Sequence, residues 1–135
     1  MAYWLVKSEP GTWSWDDHAR AGADAWTGVR NHQAKLHLAA MKLGDAVLFY
    51  HSGEAKAVVG TSRVVRGAYP DPTDATGKFL AVDLEAIAPL ATPVSLTAIK
   101  SKPALADMVL VKNSRLSVQP VTPEQWALVT TPETP

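Results

Sequence analysis

The stretch Trp26-Thr27-Gly28-Val29-Arg30-Asn31-His32-Gln33-Ala34 places a bulky indole just before a glycine and an asparagine just after it, where a helix-forming run begins. The glycine lets the backbone turn sharply beside the ring. Asn31 is a good N-cap, and the residues to Met41 are rich in helix formers. Gly44, in Leu43-Gly44-Asp45, suits the left-handed position that closes such a helix. Ala46 to Ser52 then reads as a strand, with Val47, Phe49 and His51 on one face and Leu48, Tyr50 and Ser52 on the other. Large apolar residues on both faces predict a central strand. The segment thus offers tryptophan, arginine, asparagine, tyrosine, histidine and serine, which can stack on a flat ligand and hydrogen-bond its edge. The plainer alternative is a loop, a helix and a core strand with incidental polar residues, and local physics alone slightly favours it.

On the N-terminal side, Tyr3 to Lys7 has strand-forming residues and runs into the turn Ser8-Glu9-Pro10-Gly11. Ser14-Trp15-Asp16-Asp17 matches a capping box and predicts a short helix to about Ala21, broken at Gly22. Trp13 and Trp15 read as core or staple residues. On the C-terminal side, Ala57 to Arg66 is a strand whose interior Gly60 predicts a bulge or a close backbone approach. Tyr69-Pro70-Asp71-Pro72-Thr73-Asp74 is a proline-stiffened loop, and Phe79 to Ile87 a further strand. Pro89 and Pro93 bracket an expected irregular connection, Ser95 to Lys100 a helical turn, and Pro103 opens a turn of helix over Ala104 to Met108. Ser114 to Val121 reads as a loop entering a strand. Thr122-Pro123-Glu124-Gln125 starts a last helix, docked by Trp126, Leu128 and Val129, and residues 131–135 read as a frayed tail. About five short strands among short helices predict an α+β fold, a small curved sheet or barrel with peripheral helices.

The 135 residues suffice for one domain, residues 1–135, with its own core. Without cysteine the chain has no disulfides or thiolate metal sites, and it lacks a signal-peptide pattern or a membrane-length apolar run, so a cytoplasmic location is expected. With 13 basic and 13 acidic residues the net charge is zero, which argues against a broad electrostatic coat for nucleic acid. Nucleotide-binding glycine loops, the serine-hydrolase elbow and the zinc-protease helix motif are missing. His32 and His37 are five positions apart, so they do not share a helix face, and His18 and His51 lack carboxylates at ligand spacing. No cofactor or metal is expected. What remains is aromatic and amide chemistry. Trp26 and Tyr50 offer π-surfaces to replace lost base stacking, while Ser8, Asn31, His51 and Ser52 offer polar groups for a base edge.

Several of these stretches carry a family likeness. Tyr3-Trp4-Leu5-Val6-Lys7-Ser8-Glu9-Pro10, Trp26 to Asn31, Gly44-Asp45 through Phe49-Tyr50-His51-Ser52, Tyr69 to Thr73 and Ser114 to Val118 resemble, in the same order, the EVE domain family in its stand-alone bacterial form. The resemblance implies a PUA-like fold, related to YTH readers of methylated adenine, and a site that holds a flipped, modified base, most often a C5-modified cytosine in DNA. By the same resemblance Ser8, Trp26, Val29, Asn31, Tyr50, His51 and Ser52 would line the pocket. Arg30, Lys35 and Arg115 would lie near backbone phosphates. Lys35-Leu36 stands where the family often has Arg-Asn, keeping a charge but not the bidentate geometry of arginine, and His32 stands where tyrosine is frequent.

The expected function is therefore a non-catalytic, monomeric module that binds nucleic acid carrying a modified base, with any effector on another chain. Two rivals stand beside it: an RNA-binding PUA-like module, and an enzyme acting on a nucleotide. The contact to a 2′-hydroxyl that separates RNA from DNA has no motif here.

Overall fold

The computed structural model describes residues 1–131; of the expected frayed tail, residues 132–135 lie outside the described residues. The chain runs β1 (Tyr3–Ser8), α1 (Trp15–Ala21), β2 (Ala23–Trp26), α2 (His32–Ala40), β3 (Ala46–His51), β4 (Ala57–Pro70) and β5 (Leu80–Ser95). It continues through α3 (Leu96–Lys100), a 3-10 turn (Pro103–Leu105), α4 (Val109–Lys112), β6 (Val118–Val121) and α5 (Pro123–Thr130). The strands form one six-stranded sheet in the order β2-β5-β4-β3-β1-β6. β1 and β3 pair in parallel, Val6 opposite Phe49, and every other pairing is antiparallel. Register shifts between Phe49 and Tyr50, and repeatedly along β4 and β5, bend the sheet without closing it.

Both faces of the sheet are covered. Trp4, Val6, Val47 and Phe49 point into a core closed by α1 and α2 through Trp15, Ala34 and Leu38. Leu5, Leu48 and Tyr50 point the other way, into a core closed by the C-terminal helices through Ile99, Leu105 and Val129. The period of two in β1 and β3 therefore separates two cores, as expected for strands apolar on both faces.

Several local expectations hold. Ser14 and Asp17 form the capping box of α1, Thr122 and Gln125 that of α5, and the Asn31 side chain accepts the Ala34 N–H to cap α2. Gly60 is a close approach: a Cβ there would lie 2.6 Å from the Trp15 ring, and β4 shifts register beside it.

Other expectations are corrected. The sheet has six strands because Ala23–Trp26 pairs with β5, so Trp26 ends a strand instead of lying in a loop. Helix α2 ends at Ala40, because the buried Met41 leaves it in an extended conformation, and Gly44 turns later, with φ 90°. β5 continues through Pro89 and Pro93, past its last β2 pairing at Ala23–Glu85, but its β4 pairing jumps from Gly60–Pro89 to Val58–Val94, so the expected irregularity is a bulge within the strand and not a break in it. The segment after Lys102 makes a 3-10 turn before α4, not one helix over Ala104 to Met108. Leu128 faces outward, while Gln125 and Val129 are the buried side of α5.

Among the described residues, no helix is long and apolar enough to cross a membrane.

Candidate functional site

Where β2 ends, Gly28 adopts φ 83° and sends the chain across the open end of the sheet toward α2. Its N–H donates to Asp71 Oδ2 at 2.8 Å, so the turn is held from outside as well as by its own conformation. Val29 drops into the core, 7% exposed, and fixes the height of the turn. Asn31 follows as the cap of α2: its Oδ1 accepts the Ala34 N–H at 2.9 Å, which leaves the amide hydrogens on Nδ2 for another acceptor. Trp26 stands edge-on to Phe49, with centroids 5.6 Å apart and planes at 85°, and it is only half-buried.

The opposite wall comes from the end of β1. The turn after Ser8 curls back, with the Trp13 N–H donating to Glu9 O at 2.9 Å and the Ser8 hydroxyl donating to Trp13 O. Trp13 is thereby brought to face the Trp26–Asn31 segment. Between the walls lies a cleft of ≈ 610 Å³, lined among others by Ser8, Trp13, Asp24, Trp26, Val29 and Asn31. That volume falls within the ~300–1,000 Å³ usual for small-molecule sites.

The charges at the rim are nearly balanced. Glu9 and Asp24 line the cleft, as do Lys7 and Arg30. Lys7 donates from Nζ to Ser114 O at 2.6 Å, and burial lowers its pKa. The Arg30 guanidinium donates from Nη1 to Asp71 Oδ2 and from Nη2 to Thr73 Oγ1, each at 3.0 Å. Burial would raise the Asp71 carboxyl, but hydrogen bonds from Thr73, Gly28 and Arg30 outweigh it and hold the group below the usual carboxylate range. With two indoles, a free amide edge and little net charge, the cleft is suited to a flat, uncharged, hydrogen-bonding ring.

A family model described as the EVE domain matches residues 2–131. The chain belongs to the EVE domain family. Thymocyte nuclear protein 1 of Homo sapiens is 30% identical over 95% of this EVE domain and 72% of its own length. The solved structure of Rpa0253 from Rhodopseudomonas palustris matches with a TM-score of 0.92 at 61% identity, covering 96% of this chain and 91% of that one. Human THYN1, solved in complex with DNA containing 5-methylcytosine, matches with a TM-score of 0.87 at 32% identity, covering 96% of each chain. The YTH domain of Zygosaccharomyces rouxii MRB1, solved with N6-methyladenosine RNA, matches at 0.58 and 16% identity, covering 99% of this chain and 87% of that one. That last likeness is one of fold alone.

In this EVE domain the expected base-site residues Ser8, Trp26, Val29 and Asn31 do converge on one cleft, and Arg30 stands at its edge. Tyr50 does not join them. It is 4% exposed in the core on the other face of the sheet, because its parity in β3 is opposite to that of Phe49. His51 lies behind the wall, where its Nε2 accepts the Trp15 N–H at 2.9 Å. The Ser52 N–H donates to Ser8 O at 2.9 Å, so its backbone ties together the two strand ends beneath the cleft. Lys35 does not line the cleft; its Nζ lies 5.9 Å from the Phe79 ring centroid. Arg115 is exposed, near the carbonyl that holds Lys7. Residue-level reading missed Trp13, Asp24 and Lys7 as cleft residues. The turn Ser8-Glu9-Pro10-Gly11 ahead of the Ser14 cap was the available sign that Trp13 folds back over the strand end.

Proposed function

We propose that this EVE domain is a non-catalytic reader that takes an extruded, modified base, a C5-modified cytosine in DNA, into the cleft between Trp13 and Trp26. The observation that carries the reading is the pairing of the half-buried Trp26 ring with the uncommitted Asn31 amide across the Gly28 turn. An extruded base loses its stacking partners and its Watson–Crick hydrogen bonds, and a reader must replace both. The indoles replace the first. The Asn31 Nδ2 hydrogens replace part of the second, by donating to a ring nitrogen or carbonyl of the base. The complex of human THYN1 with DNA containing 5-methylcytosine supports the same ligand class. In this reading the domain acts as a monomer, and any downstream chemistry belongs to a separate effector chain.

The test is a binding panel of matched DNA and RNA strands, each with and without one modified cytosine or adenine. The modified-cytosine DNA strand should bind most tightly and be recovered chemically unchanged. Tighter binding of the RNA set would transfer the reading to RNA, and turnover of a strand would make the domain an enzyme.

A further inference from the structure

The stretch Tyr69-Pro70-Asp71-Pro72-Thr73, where β4 gives way to the following loop, stands out in the sequence yet contributes nothing to the lining of the cleft. Asp71 explains its presence. Its side chain is fully buried, and the carboxylate accepts from four donors: Gly28 N–H at 2.8 Å, Arg30 Nη1 at 3.0 Å, and Thr73 N–H and Oγ1 at 2.7 Å each. The loop is itself closed by the Asp71 N–H donating to Phe79 O at 3.0 Å. Phe79 in turn supports Arg30, whose guanidinium carbon lies 5.4 Å from its ring centroid.

Arg30 is therefore held along one edge and supported by a ring. Nη1 also donates to Val29 O at 3.2 Å, and 41% of the side chain remains exposed. Its charge is opposed by a buried carboxylate whose remaining partners, the Gly28 N–H and Thr73, are uncharged. To bind a phosphate fully, the guanidinium would have to leave that carboxylate buried and unpaired, which is strongly unfavourable.

We propose that Asp71 is a specificity-determining residue that withholds Arg30 from the nucleic-acid backbone, so that affinity depends on the base in the cleft. This inference rests on the base-reading function. It reverses the sequence expectation for Arg30, which becomes a positioning residue for the Gly28 turn and not a phosphate contact. Asp71 then does two things with one carboxylate: it holds the wall carrying Trp26 and Asn31 in place, and it cancels a cation that would otherwise attract any strand.

The experiment measures affinity of the full chain for short single strands with one 5-methylcytosine or cytosine, over a range of salt. The chains compared are wild type, Asp71→Asn and Arg30→Gln. Asp71→Asn should release one cation. Affinity for the unmodified strand should then rise about five- to eightfold at ~0.1 M salt, with the salt slope steeper by about 0.7–0.9, and discrimination should fall. Arg30→Gln should keep the wild-type slope. A slope flattened by about 0.7–0.9 in Arg30→Gln would overturn the proposal, because Arg30 would then contact a phosphate in the wild type. An unchanged slope in a folded Asp71→Asn would overturn it too. If Asp71→Asn does not fold, the Arg30→Gln slope decides alone. Wild type binding both strands equally tells against base reading itself, while the slopes still report on Arg30. Failure to bind either strand overturns both.

Discussion

The backbone N–H of Trp15 donates to Nε2 of His51 at 2.9 Å, so a side chain at the end of β3 satisfies one of the orphan donors at the start of α1. This bond requires His51 to be neutral and protonated on Nδ1. Burial lowers its pKa, against a smaller raising effect of Asp16. His18, further along α1, is likewise lowered by burial, against Asp24; its Nε2 is 2.9 Å from Ser62 Oγ and its ring stacks on Phe49.

These two histidines, together with His37, whose pKa burial also lowers, set a pH dependence. Each binds a proton more readily in the unfolded chain than in the native one, so their contribution is complete above the unfolded value and declines below it. The urea midpoint should therefore fall as pH drops from about 7.5 to about 5, across the ordinary histidine pKa of ~6.5. His51→Gln, which keeps an acceptor for the Trp15 N–H, should make the decline shallower. A second loss should come at lower pH, below the ordinary carboxylate range, as Asp71 and Asp74 protonate. Asp74 is lowered to about 2, chiefly by its hydrogen bonds to Thr76 and to the Phe79 N–H. A flat midpoint between neutral and mildly acidic pH would contradict the lowered pKa of these histidines, and an unchanged decline in His51→Gln would contradict the part assigned to His51.

Gly60 gives a packing prediction. An added Cβ would meet the Trp15 ring at 2.6 Å, and Trp15 is enclosed by Phe49 and His18. Gly60→Ala should cost about 1–3 kcal/mol in denaturant unfolding, the usual penalty for overpacking a filled core. A neutral outcome would mean that α1 can shift freely on the sheet.

The cleft residues should separate by role. Trp13→Ala and Trp26→Ala should each weaken modified-strand binding by about 1–3 kcal/mol through lost stacking. Because stacking is tolerant of base identity, affinity for other bases should fall as well. Asn31→Ala should cost about 1–3 kcal/mol mainly for the preferred base, by leaving an edge group unpaired. It also removes the α2 cap, so the unfolding midpoint of each variant must be measured alongside affinity. If Asn31→Ala remains folded and binds both strands like wild type, Asn31 serves only as a cap.

Salt dependence gives a further check. With zero net charge and Arg30 tied to Asp71, the proposed reader would make about two or three phosphate contacts, through groups such as Lys35 and Arg115. Log affinity should then fall with log salt at a slope of roughly −2 to −3. A slope near −8 would indicate a broad electrostatic footprint incompatible with a cleft-centred mode of binding.

What could be read in the sequence was mostly short in range. Ser14 with Asp17, and Thr122 with Gln125, place helix starts because each cap is closed within one turn. Gly60 announced a close approach, but not that Trp15 was the neighbour. The errors came from distant partners. Ala23–Trp26 is too short to signal a strand by itself, and it becomes one only against Val82 to Glu85. Tyr50 and Trp26 are both aromatic residues in a likeness-bearing motif, yet the parity of β3 sends Tyr50 to the far core while the end of β2 leaves Trp26 at the cleft. The Arg30–Asp71 hydrogen bond was equally hidden, because nothing local reveals a carboxylate located 41 positions along the chain.

The indole N–H resonances of the five tryptophans give the most direct test of base entry into the cleft. Trp4 is an internal control, since its Nε1–H donates to the buried Asp45 at 2.9 Å. Trp126 is a second control, packed on Tyr3 with ring centroids 4.9 Å apart beside the other core. On titration with a strand carrying one 5-methylcytosine, the Trp13 and Trp26 signals should shift together and saturably while Trp4 and Trp126 stay in place. The unmodified twin should produce the same shifts only at higher concentration. Shifts centred on Trp126, or equal responses to both strands with Trp13 and Trp26 unmoved, would contradict a modified base held in this cleft.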